Sequence, residues 1–449
     1  MDYLDLNQGA LAPVTDESIC NNLSVEGEIP RDLNGMLVRN GPNPFSGKFN
    51  GQGVLSWWPE AAMLHAIKFA DGNVLEYRNK WVRTRKWADF FDARQTPLLL
   101  DTNPNVNVIS QGNTLLALAE GGPPVVVDAA LETSGQWTAQ TEFTRGMTAH
   151  PKIDPVTKEL ITFHAHWSEP FLRYGVIDAK GVEIVNMEID IPAPAMMHDM
   201  AVTETYSILL DLGVGYDFSL LKKGYRIPVC WQDARVSRLG IVPRHGGEVS
   251  WLEITPCFIQ HVVNAYDAEA EVIVLDAVRY PWYFKIDPQT REFTPDPLGE
   301  LWRYTINLQQ RTVHEEQLIE SNIELPRINE LHTGRYNRYS YAVEQPTAAE
   351  MRGIIRYDAL TTTIQRHSVD AGDNNSEPIF VPDRNGTAED DGWLLLSVYR
   401  QATDSNEIRI LDARNISGKA LATISLGRRI PAGFHGAWIA MGEETGWGH

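Results

Sequence analysis

The residues on which chemistry could turn in this chain are its histidines, because the usual local signatures are missing. There is no HExxH, no GxSxG and no GxGxxG. One pair is close enough in sequence to act together: His164 and His166 flank a single alanine. On a strand, residues i and i+2 share a face, so two imidazoles there could chelate a metal, as HxH pairs do in some hydrolases. The ordinary alternative is two histidines on a half-buried strand beside Trp167. Four others sit in richer surroundings: His150 in MTAHPKIDP, His198 in MMHDMAVTE, His261 in FIQHVVNAYD and His435 in GFHGAWI. Each lies at the edge of a strand-like run with Gly, Pro, Asp or Asn nearby. A propeller would bring such strand ends to a central axis. Their wide separations carry no chelation signal, and taken singly each reads as a hydrogen-bonded structural histidine.

The elements that must position these residues are short strands. NTLLALAEGG, PPVVVDAA, KELITFHAHW, AVTETYSILLDLG, EVIVLDAV, NRYSYAVE, GIIRYDAL, DGWLLLSVYR, NEIRILDARN and ALATISLG each hold a brief apolar or β-branched run closed by turn residues. Helical periodicity is confined to KWADFFDAR and LSWWPEAAMLHAIKF. Many strands with little helix predict a closed or radially repeated all-β architecture. No Ser-, Gly- or Pro-rich linker divides the chain, so residues 1–449 read as a single domain. No tight repeat of the WD or kelch kind is present, so a propeller is allowed by the strand count without being required by it.

Composition narrows the function. The chain has 449 residues, 43% of them apolar and 22% charged, which is globular and excludes disordered, collagenous and coiled-coil classes. With 39 Lys plus Arg against 59 Asp plus Glu, the formal charge is −20, so no nucleic-acid partner is expected. The start, MDYLDLNQGALAPVTDES, has neither a basic nor an apolar region of the secretory kind. No apolar run approaches the ~18 residues needed to span a bilayer, so membrane contact is expected to be peripheral at most. Cys20, Cys230 and Cys257 are far apart and form neither a disulfide framework nor a CxxC metal site. The expectation is a cytoplasmic protein; its oligomeric state is not legible.

Eight ordered blocks carry more. They are GEIPRDLNGMLVRNGPNP (27–44), EYRNKWVRT (76–84), NVNVISQGNTLLALAEGGPP (105–124), VSWLEITPCFIQHVVNAYD (249–267), LWRYTINL (301–308), IELPRIN (323–329), SEPIFVPDRNGTAEDDGW (376–393) and IPAGFHGAWI (430–439). Together with the four histidine segments they resemble the carotenoid cleavage oxygenases, a family that includes stilbene cleavers and the retinoid isomerase of the eye. The resemblance implies a seven-bladed β-propeller with a dome of loops and short helices over one face. It implies Fe(II) on the axis, held by His150, His198, His261 and His435, with Glu120, Glu324 and Glu377 behind the rings. His164 and His166 are not among the implied ligands.

The implied reaction is O₂-dependent scission of a conjugated C=C bond into two carbonyl products. The electron-rich alkene supplies electrons, so no nicotinamide, flavin or external reductant is needed, in keeping with the missing GxGxxG. Four neutral imidazoles leave the ion its full charge, and each ring's second nitrogen needs a carboxylate, carbonyl or water. The protein would exclude water and set which double bond meets the iron.

The chain departs from the family pattern in places. FNGQGVLSWWPEAAMLHA replaces a loop like FDGDGM, and Trp57 and Trp58 could shape a tunnel or pack the dome. Asn105-Val106-Asn107 stands where many members have NTN, which keeps the shape of Thr beside the open iron position and loses its hydroxyl. Bacterial stilbene cleavers typically carry Lys before the first of the three glutamates; here it is Ala119, which argues against phenolate recognition of that kind. The segment TRKWADFFDARQTPLLLD lacks a long apolar patch. Phe163, Trp167, Phe171, Phe258, Tyr283 and Phe284 are candidate tunnel aromatics, with core packing as the ordinary reading.

The leading expectation is therefore cleavage of an apocarotenoid or carotenoid by Fe(II) and O₂. An aryl alkene (stilbene, vinyl- or propenylphenol) cleaved by the same chemistry is the alternative. Isomerohydrolase action on a retinyl ester is tied to membranes and less suited to this chain. From other classes come a non-catalytic propeller that binds a polyene or a protein partner, and a zinc hydrolase built on His164 and His166.

Overall fold

The apolar runs pair with their sequence neighbours, so most of the chain is antiparallel hairpins. The computed structural model describes residues 6–50, 58–93, 102–225, 227–347 and 350–441. Where a turn is tightest the residues suit it: Asp71-Gly72, both with positive φ, join Ala62–Ala70 to Asn73–Trp81, the two-residue loop that matches strand twist.

Among the described residues seven blades follow one another. Blade 1 holds Gly35–Pro42, Ala62–Ala70, Asn73–Trp81 and Ser18–Cys20. Blade 2 runs outward from Asn107–Gln111 through Thr114–Leu118 and Val125–Val127 to Thr133–Gln136. Blade 3 runs from Lys152–Ile153 to Glu183–Glu188, and blade 4 from Met200–Val202 to Ser250–Glu253. Blades 5 and 6 share one long strand, Thr312–Arg327. Its first half pairs with Glu300–Asn307 of blade 5, which begins at Phe258–Glu269; its second half pairs with Tyr339–Glu344 of blade 6. Blade 7 contains Ile379–Pro382, Gly392–Arg400, Ser405–Asp412 and Ala422–Ser425.

The ring closes twice. Near the C-terminus, Gly436–Ala440 pairs with Gly35–Pro42 of blade 1, and the early strand Ser24–Gly27 pairs with Ala422–Ser425 of blade 7. This is the expected seven-bladed propeller, whose radial repetition leaves only short, protected blade edges. The core lies between blades. Ile161, Phe163, Leu172 and Tyr174 of blade 3 pack with Ile208, Leu209 and Ile241 of blade 4, and the Tyr174 hydroxyl donates to the Arg244 carbonyl at 2.8 Å.

Long connections form the dome. They include the short helix Arg85–Phe90, capped by the Thr84 hydroxyl, and the ribbon Val214–Tyr216 with Val229–Trp231. Trp58 packs edge-on against Phe284, whose carbonyl accepts the Trp231 N–H.

One expectation fails here. LSWWPEAAMLHAIKF, read as helical, runs instead into the strand Ala62–Ala70. That strand is paired on both sides and its first six residues are all buried. A strand covered on both faces has no period-2 alternation, so its apolar run imitates a helix. Trp57 and residues 51–56 lie outside the described residues.

Candidate metal centre

The inner strand of a blade starts near the axis, and that is where the histidines are. His150 lies two residues before Lys152–Ile153, and His198 two before Met200–Val202. His261 is inside Phe258–Glu269, and His435 immediately precedes Gly436–Ala440. Residues as far apart as His150 and His435 thus meet: their ring centroids are 4.6 Å apart, and the other close pairs lie at 4.4 to 5.2 Å. Ligand atoms of His150, His198 and His261 all lie within 4.8 Å of one another.

The three glutamates arrive from neighbouring strand ends. Glu120 follows Thr114–Leu118, Glu324 is within Thr312–Arg327, and Glu377 precedes Ile379–Pro382. Nδ1 of His198 is 2.8 Å from Glu120, that of His261 2.5 Å from Glu324 and that of His435 2.9 Å from Glu377. A carboxylate accepts, so each Nδ1 carries the proton and each Nε2 keeps its lone pair. Glu324 also accepts from the Tyr280 hydroxyl and from the Leu325 N–H, both at 2.5 Å. Leu325 has φ of 51°, sparsely populated for a non-glycine, and is the residue whose N–H turns back onto Glu324. Glu377 accepts the Gly436 N–H at 2.8 Å, with Arg327 at 3.6 Å.

Electrostatics suit a cation. Burial and then the neighbouring imidazoles hold His150 well below the usual histidine range. Burial takes His435 down to about 4 against the pull of Glu377. His261 is raised, since the charge and hydrogen bond of Glu324 outweigh burial. Burial disfavours the charge on Glu377, but Arg327 and His435 hold it down at about 2. Nε2 of His150 and of His261 are buried with no hydrogen-bond partner. Buried polar atoms are rarely left so. Converging imidazoles with buried, unpartnered Nε2 atoms among them, backed by three carboxylates, fit a divalent transition-metal ion such as Fe(II).

The HxH pair stands apart. His164 and His166 have ring centroids 5.5 Å apart, but the His166 Nδ1 is engaged by Ser168 and its ring packs on Trp167. Neither belongs to the convergent group.

The candidate aromatics divide. A contiguous row leads from Glu324 toward the dome: Tyr280 contacts Tyr283 at 5.1 Å, Tyr283 contacts Phe284 at 4.4 Å, and Phe284 meets Trp58 at 5.4 Å. Phe258 stacks on Tyr283 at 5.0 Å. Phe163 lies in the same buried core as Phe258, Tyr280 and Phe284, Phe171 packs at its margin, and Trp167 is 56% exposed. Val106 is half-buried, and its carbonyl accepts the His435 N–H at 3.2 Å. Ala119 is buried beside Gly122. After Arg83, Phe90 at the end of the helix and Phe91 just beyond it are exposed; residues 94–101 lie outside the described set. A cavity of about 340 Å³ on the axis touches His150, His261, His435 and Glu377. Tyr280, Arg327 and Asp199 were not anticipated. Only Asp199, adjacent to His198, carried a signal that could have found it.

Comparison with known proteins agrees with this geometry. The profile of the retinal pigment epithelial membrane protein family matches residues 11–440. A carotenoid 9,10(9',10')-cleavage dioxygenase of Crocus sativus is 31% identical, over 98% of this chain and 89% of its own. A carotenoid cleavage oxygenase of Mycobacterium tuberculosis is 32% identical over 96% of both chains. Among solved structures, cobalt-substituted Synechocystis ACO superposes with a TM-score of 0.85 at 28% identity, covering 96% of this chain and 97% of that one. The profile match, the relatives above 30% identity and the common ring of blades lead to one conclusion: the chain belongs to the retinal pigment epithelial membrane protein family, the carotenoid cleavage oxygenases.

Proposed function

We propose that this protein is an Fe(II)-dependent dioxygenase that cleaves a conjugated C=C bond of an apocarotenoid or carotenoid into two carbonyl products. His150, His198, His261 and His435 would hold the metal, and Glu120, Glu324 and Glu377 would orient three of the rings. The observation that carries this reading is the convergence of four imidazoles with buried, unpartnered Nε2 atoms among them. Relatives named as carotenoid cleavage dioxygenases, and one named apocarotenoid-15,15'-oxygenase from Synechocystis that is 30% identical, support the substrate class. Ferrous iron supplies the dioxygen activation that such scission needs without nicotinamide or flavin.

The chain's own residues do the rest. The carboxylates keep the Nδ1 protons in place, so the Nε2 lone pairs stay directed inward. The row Tyr280, Tyr283, Phe284 and Trp58 packs behind Glu324 and would give a rigid conjugated chain an apolar boundary on that side. Ala119 brings no charge to a phenolate next to Glu120, which favours an apocarotenoid over an aryl alkene. Exposed Phe90 and Phe91 support a peripheral apolar contact through which such a substrate could be collected. Among the described residues no helix is long and apolar enough to cross a membrane. Three free cysteines support a reducing, cytoplasmic setting.

The test is metal content with O₂ uptake on anaerobically purified protein, offered an apocarotenal, a hydroxystilbene and a propenylphenol in parallel. The expected result is iron near one per chain, with one O₂ consumed per apocarotenal and aldehyde formed. Turnover of the aryl alkene alone would replace the substrate class, and failure to take up iron on reconstitution would overturn the reading.

A further inference from the structure

The four histidines differ in one respect. Three have a glutamate on Nδ1, whereas among the described residues no carboxylate lies within ion-pair distance of the His150 ring. What fixes His150 is its strand. Two residues beyond it, the Lys152 ammonium sits 2.8 Å from Oδ1 of Asp199. Asp199 directly follows His198, and its Oδ2 accepts the N–H of Val262, the residue after His261, at 2.8 Å. Its Oδ1 also accepts the Met200 N–H at 2.7 Å. One carboxylate therefore ties the inner strands of blades 3, 4 and 5 together, one or two residues from three of the four imidazoles.

Asp199 is 1% exposed, and a carboxylate that deep is costly unless paired and hydrogen-bonded throughout. The two backbone N–H groups reach different oxygens, so an amide, with one acceptor oxygen, could serve only one of them. The carboxylate thus meets both strand N–H groups and also holds Lys152, and with it the segment that runs from His150 into Lys152–Ile153. A neutral tie runs parallel: the Thr148 hydroxyl donates to the His198 carbonyl at 2.9 Å and accepts the His150 N–H at 3.0 Å.

We propose that Asp199, through its pair with Lys152, is a positioning residue of the metal centre. It registers the strand of His150 against those of His198 and His261, in place of the ring-bound carboxylate that His150 lacks. The inference rests on the four-histidine reading.

The experiment compares wild type, Asp199→Asn, Lys152→Met, Lys152→Arg and the double variant Asp199→Asn/Lys152→Met, each loaded with Co(II) and separately with Fe(II). It reads the rate of metal loss to a chelator and the visible spectrum of the cobalt form. Asp199→Asn and Lys152→Met should each speed metal loss by about 10- to 100-fold and shift the cobalt bands, as loss of outer partners does at other metal sites. The double variant should be little worse than either single one, and Lys152→Arg should recover part of the loss. As a control, Asp276→Asn breaks the ion pair with Arg303 further out in blade 5. It should lower the melting temperature and leave the cobalt spectrum alone. If Asp199→Asn melts early yet keeps wild-type metal loss and spectrum, Asp199 is merely structural and the inference falls. A wild-type protein that takes up neither metal overturns the four-histidine reading, and this inference with it.

Discussion

A metal ligand and a structural histidine are the same residue in different company, and here the company is a carboxylate on Nδ1 of His198, His261 and His435 and a buried, unpartnered Nε2 on His150 and His261. Glu377 is 1% exposed and its charge is held by His435, Gly436 and Arg327. Glu377→Gln keeps the shape and removes the charge. Metal affinity should fall by about 10- to 100-fold. Thermal stability of the metal-free protein should change much less; equal losses in both assays would show that Glu377 serves folding alone. His261→Ala should abolish stoichiometric iron binding, and iron surviving in it would sink the ligand assignment. His164→Ala, by contrast, should leave iron content unchanged by metal analysis. Adjacency made that pair conspicuous, while its surroundings, Ser168 and Trp167, give it ordinary partners.

Strands carry these side chains, so the joints between blades decide how well the centre is kept. Asp154, just beyond the inner strand of blade 3, meets Arg244 of blade 4 at 2.8 Å and Arg335 at 3.4 Å. Burial works against its charge, but the N–H groups of Thr157 and Val156 and then Arg244 bring it from 3.8 down to about 2. A depressed carboxylate stabilises the fold above its unfolded value and loses that contribution as pH falls through its folded one. The contribution of Asp154 should thus be whole above about pH 4 and gone near pH 2. Asp154→Asn should unfold more easily at pH 7, and its stability should vary less with acid over that window; identical acid limbs in wild type and variant would refute the assignment. Strand existence was legible from apolar runs and turn residues. Ala62–Ala70 was not, because burial on both faces erased the alternation that marks a strand.

The whole ring depends on its closure, which joins residues at opposite ends of the chain. In blade 1, Gly35 faces Trp438 of the last strand so closely that an added Cβ would lie 2.4 Å from the indole. Gly35→Ala should cost about 1–3 kcal/mol as overpacking, read as a lower melting temperature. Because His435 immediately precedes that strand, metal retention should weaken along with it, and a variant as stable as wild type would show that the closure yields freely.

By itself the sequence determined the class of fold, since apolar runs broken by Gly, Asn, Asp and Pro permit little besides antiparallel hairpins. Its ordered blocks also marked the four histidines and three glutamates by position. Which nitrogen each glutamate holds, which Nε2 atoms are left bare, and that Asp199 binds three strands at once were decided by tertiary structure alone. The reason is physical: strand pattern is local and reports burial a few residues at a time. A metal centre is a coincidence of strand ends from different blades, fixed only when the ring closes on its axis.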